Sequence, residues 1–172
     1  MERLNQSLTL VANFGVVIGI VFLAYEMRLN TNAMLSGTAA QMVTNWNSIT
    51  QDFATTPELS AAVIRVNEEG AQTDPVSISM VAGTASSMYR STEYEFLETL
   101  RGNVDESVWR GHVVSNRNFI SGNPFMLFAW RYQRNGFASS FRDFMDDMIR
   151  DICSKQECPE GARPEDWTEL ST

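Results

Sequence analysis

Proton transfer is the one reaction class whose raw materials this 172-residue sequence contains. Glu93-Tyr-Glu-Phe-Leu-Glu98 supplies three carboxylates, and His112 is the only histidine. Glu95 and Glu98 are three apart and share one helix face, whereas Glu93 lies elsewhere. Brought together in a cleft, such groups act as general acid and base. The blander reading is a solvated face with local ion pairs to Arg90 and Arg101, and His112 as a packing residue beside Trp109 and Val113. One histidine cannot build a zinc or di-iron centre, and Glu-x-x-His and Cys-x-x-Cys-His are absent. Asp143, Asp146, Asp147 and Asp151 lack the spacing and glycine of a calcium loop. They read as a solvated face or as a docking surface for a basic partner. Nucleophile elbows, phosphate-binding glycine loops and Ser-x-x-Lys motifs are missing. No catalytic residue, metal or cofactor is assigned, and an enzyme is not expected.

The elements that would have to position these residues are helices, and the first is the most distinctive. No charged residue occurs from Asn5 to Tyr25. About 20 helical residues rising roughly 1.5 Å each match a hydrocarbon layer roughly 30 Å thick, so 1–28 reads as a membrane anchor. The alternatives are a buried core helix and a cleaved signal peptide, the latter opposed by a barely positive start and no Ala-x-Ala site. Gly15 and Gly19 form a Gly-x-x-x-Gly, and Ala12 extends the small face, allowing close approach of another helix backbone. Asn5, Thr9 and Asn13 form a polar stripe in which a lipid-facing amide needs a partner. Ala12, Asn13, Gly15 and Gly19 are therefore the candidate packing face, toward a second copy or another membrane helix.

Residues 29–153 read as a soluble helical bundle, so the expected fold is all-α, an N-terminal transmembrane helix followed by a small bundle. Thr56-Pro57, Asp74-Pro75 and Asn123-Pro124 each pair a capping residue with proline at the first helical position. Apolar stripes at helical spacing run through Met42–Phe53, Leu59–Val66, Ile78–Phe96, Trp109–Ile120 and Phe141–Ile152. Ser139 or Ser140 is the expected cap of the last, and Gly37 a candidate hinge in the first. The segment from Phe125 to Tyr132 is apolar nearly all round. It reads as core, or as a partner surface carried by Phe125, Phe128 and Trp130.

Charge is uneven. Of the net −8, residues 143–172 hold nine acidic and three basic side chains. An acidic chain repels phosphate backbones, so no nucleic-acid partner is expected. Residues 154–172 read as an acidic extended tail pinned by Trp167. Cys153 and Cys158, the only cysteines, could close a small disulfide loop in an oxidising compartment or remain two thiols. Arg3 and Arg28 leave orientation nearly tied, with a lean toward a periplasmic soluble part.

The stretch Asn13-Phe-Gly-Val-Val-Ile-Gly-Ile-Val-Phe-Leu-Ala-Tyr-Glu-Met-Arg-Leu-Asn-Thr31 resembles the opening of a bacterial family of uncharacterised single-span membrane proteins. Members read Asn-Leu-Gly-Val-Ile-Ile-Gly-Leu-Ile-Phe-Leu-x-x-Glu-Leu-Arg-x-Asn-Thr. Pro57-Glu58-Leu59, the aromatic helix Tyr89–Phe96, Trp109 and Phe141-Arg-x-Phe144 follow in similar order. The resemblance implies an inner-membrane anchor with a helical domain, and no activity. The functional expectation is an accessory or assembly subunit of a larger membrane complex. The alternative is a tethered sensor or small-ligand-binding domain.

Overall fold

The computed structural model describes residues 2–156, 158–159, 161–165 and 167. It is all-α, with six α-helices and, among the described residues, no strand. The helices are α1 (Glu2–Thr55), α2 (Pro57–Glu69), α3 (Pro75–Leu100), α4 (Glu106–Ser121), α5 (Pro124–Gln133) and α6 (Ser139–Lys155). Short 3-10 turns occupy Gly70–Gln72 and Arg134–Gly136. Two compact units divide the chain, Met1–Thr38 and Ala39–Thr172.

The first unit is helix alone. Twelve large apolar side chains between Leu8 and Tyr25 are exposed, and they occur on every face rather than along a stripe. This helix is long and apolar enough to cross a membrane, and none of its apolar window is buried. Within that unit no side chain from Leu8 to Tyr25 is buried. Gly37 breaks nothing, since α1 remains helical through it.

In the second unit the expected stripes face inward. Tyr89, Leu127, Trp130, Phe141, Met145 and Ile149 are almost wholly buried at its centre. Edge-on rings knit this core: Tyr89 meets Trp130 at 5.2 Å between centroids and Trp130 meets Phe141 at 5.7 Å. Such pairs contribute about 0.5–1.5 kcal/mol each beyond their buried area. A smaller cluster of Ala62, Val66 and Val81 joins α2 to α3.

All three proline-marked starts are observed, with proline in the first turn of α2, α3 and α5. Their caps differ. Asp74 accepts from the backbone N–H groups of Val76 and Ser77 at 3.1 and 3.0 Å. Thr56 and Asn123 make no side-chain cap bond. The start of α5 is served instead from α2, where Asn67 Oδ1 accepts from the Phe125 N–H at 3.2 Å. The start of α6 is likewise served from α3: Ala138 N–H donates to Glu93 at 2.7 Å, and neither Ser139 nor Ser140 is the cap. An orphan N–H at a helix start needs an acceptor, and a carboxylate already fixed on a neighbouring helix meets that need.

The tail is pinned by Trp167, as read from the sequence. Helix α6 runs two residues past Cys153, and beyond it Ala162 and Trp167 are buried in the main core. Trp167 Nε1–H donates to the Gly161 carbonyl at 3.0 Å, as does Arg131 Nη1 at 3.2 Å. Glu157, Glu160, Asp166 and 168–172 lie outside the described residues, as does the side chain of Asn5 in the polar stripe.

Candidate functional site

Helices α3 and α4 bring Glu95 and His112 together. His112 Nδ1 lies 2.9 Å from Glu95 Oε2, with their side chains 16% and 3% exposed. Ser91 Oγ donates to the other carboxylate oxygen at 3.3 Å. The hydrogen bond to Glu95, reinforced by its charge and opposed by burial, raises the His112 pKa above its usual 6.5. Trp46 of α1 closes over the imidazole edge-on, 6.2 Å between ring centroids. One turn further along α4, the buried Asn116 leaves its Oδ1 without a hydrogen bond among the described residues.

The local ion pairs read from the sequence are present, Glu93 with Arg90 and Glu98 with Arg101, but the face is not solvated, because all three carboxylates are drawn in by specific donors. Glu95 serves His112. Glu98 is buried against Arg101 and accepts from Asn103 Nδ2 at 2.8 Å, so Asn103 and Arg101 hold its carboxyl below the usual range. Glu93 pairs with Arg90 at 2.9 Å while capping α6. The two carboxylates do not converge on His112 in one cleft: only Glu95 reaches it. A carboxylate that orients an imidazole is half of a general base. Among the described residues no group of three or more His, Cys, Asp or Glu side chains could hold a metal ion.

Asp146 overturns another expectation. It is buried, accepts from Trp130 Nε1–H at 2.8 Å and binds Arg134. Asp143 and Asp147 are exposed as read from the sequence. The indole of Trp130 therefore has its polar partner inside the fold, and Trp130 itself is 0% exposed. It is not part of a partner surface. Its neighbours on α5 divide by position: Phe125 and Phe128 are half-buried, and Tyr132 is exposed. These three, at i, i+3 and i+7, line an open groove of about 470 Å³ with Ile78 and the C-terminal end of α2. Glu68 and Glu69, which the sequence reading passed over, also line it and are exposed. Two acidic residues immediately before a helix-ending glycine were the available signal.

Cys153 and Cys158 form a disulfide with Cα atoms 5.3 Å apart. In the first unit, Ala12, Asn13, Gly15 and Gly19 are all exposed. A methyl group built on Gly15 or Gly19 would meet no atom within 4 Å. The face is open along its length.

No family model, curated protein or solved structure matches this chain.

Proposed function

We propose that this chain is a single-pass, membrane-anchored, non-enzymatic helical protein of the bacterial inner membrane, an accessory or assembly subunit of a larger membrane complex. The observation that carries the reading is the all-round exposure of apolar side chains from Leu8 to Tyr25. At about 1.5–3 kcal/mol for each large apolar side chain removed from water, transferring this segment gains on the order of 20 kcal/mol. Desolvating the one amide of Asn13 costs about 2–7 kcal/mol, so lipid wins. The open small face of Ala12, Gly15 and Gly19 beside that amide supports packing on another membrane helix, from a second copy or a different protein. The likeness of Asn13–Thr31 to single-span bacterial proteins points the same way. The disulfide supports placing the soluble unit on the oxidising, periplasmic side.

The test is purification of the full chain from native membranes in mild detergent, beside Gly15→Leu/Gly19→Leu. A stoichiometric partner or self-association that the double variant loses supports the reading. Monodisperse single protein from both, or unchanged co-purification, overturns it. A second reading, a tethered small-ligand-binding domain, is favoured by the groove along α5.

A further inference from the structure

The end of α2 breaks a local rule. The C-terminus of a helix carries the negative end of its dipole and favours Lys or Arg in the last turn. Helix α2 has no basic residue there, the nearest being Arg65 a turn earlier, and instead ends Glu68-Glu69, with Gly70 closing the helix at a positive φ of 59°. Both carboxylates lack an ion-pair partner among the described residues. Negative charge is thus added where the carbonyls already point outward. A sequence tolerates such self-repulsion most readily where something else gains from it.

What lies against this end is an apolar, aromatic groove. Phe125, Phe128 and Tyr132 present successive rings along α5, and Ile78 of α3 completes the wall. Its volume of about 470 Å³ falls within the range of small-molecule sites. No lysine or arginine lines it. Arg131 donates to the Gly161 carbonyl at 3.2 Å and also holds its guanidinium 6.0 Å from the centroid of the Tyr132 ring, so one face of that ring already has a cation beside it. Aromatic faces attract cations through their quadrupole, and the carboxylates and helix end add to the same field.

We infer that this groove binds a small organic cation, an alkylated ammonium whose apolar substituents lie on Phe125, Phe128 and Tyr132 while its charge faces Glu68 and Glu69. The inference rests on the ligand-binding reading and names its ligand class. An anion is repelled by the carboxylates, and a neutral apolar molecule leaves them unused.

The experiment titrates the full chain in non-ionic detergent with choline and with 3,3-dimethylbutan-1-ol, in which carbon replaces the ammonium nitrogen at nearly constant shape. Binding is read from shifts of aromatic resonances. The expected result is saturable choline binding, about tenfold weaker binding of the alcohol, and about tenfold loss for choline in Glu68→Gln/Glu69→Gln. Phe128→Ala, in a half-buried position, should weaken choline as well. Circular dichroism confirms that each variant is folded. Equal binding of the two probes, or an indifferent Gln variant, overturns the cationic class while the ligand-binding reading survives. Failure of both probes to bind overturns the inference and removes that reading's support. Binding of an oligoarginine peptide in place of choline makes the groove a protein-docking surface and also overturns it.

Discussion

At the residue scale, two polar contacts settle what the sequence left open. Trp130 and Phe128 sit two apart in one aromatic run, and composition treats them alike. Only the Asp146 carboxylate, sixteen residues away, provides an acceptor for the indole N–H, and it draws Trp130 into the core. Trp130→Ala should therefore cost about 3–5 kcal/mol in denaturant unfolding, and Asp146→Ala about 1–3 kcal/mol, because the buried Trp130 N–H loses its acceptor and the half-buried Arg134 its partner. Phe128→Ala should change stability by under about 1 kcal/mol. Equal effects at 128 and 130 would contradict this division. The Glu95–His112 pair makes a pH prediction. Its bond to Glu95 raises His112 above 6.5, so the stabilisation is fully present below that value and fades as pH rises through the raised one. Glu98, held low, acts in the opposite sense and only in acid. Thermal midpoints should fall as pH rises above 6.5, and His112→Gln should flatten the decline. An unchanged slope in that variant would contradict it. The local pair of Glu98 with Arg101 was legible in sequence, whereas the acceptor of Trp130 was not, because a carboxylate on a helix face looks solvated until the helix that covers it is placed.

At the element scale the sequence was far more readable. Three Pro-marked starts and the glycines that close helices are local signals, and steric limits make them binding wherever the helix packs. What acceptors serve those starts is not local. Asp74 caps its own helix, and Asp74→Ala should cost about 1 kcal/mol. Asn67 caps α5 from another helix while its Nδ2–H donates to Asn123 Oδ1 at 3.1 Å. Asn67→Ala should cost somewhat more, about 1–3 kcal/mol, because a buried N–H loses its acceptor. Unfolding of the two variants in parallel checks the order. The tail illustrates the same limit. Residues 154–172 have no stripe, and although Trp167 was read as the pin, nothing periodic announced that Ala162 joins the core with it. The disulfide is the staple, and by chain entropy a loop this short contributes about 2 kcal/mol. Reduction should lower stability by that amount and shift the Trp167 emission; no change in either would show that the tail packs without it.

On the scale of the whole molecule, the fold class followed from periodicity and the long apolar helix from one uncharged run. Both were legible because they depend on averages over many residues, which single contacts cannot reverse. Function was not, since a helical bundle can place its binding groups on three different helices with no linear signature. The central claim is that the residues from Leu8 to Tyr25 lie in lipid. Single nitroxide labels placed along that segment of the full chain in phospholipid bilayers test it most directly. The expected result is high collision with oxygen and low collision with a water-soluble nickel reagent, most extreme near the middle of the run around Val16. Water-like collision with the nickel reagent throughout the segment would contradict it.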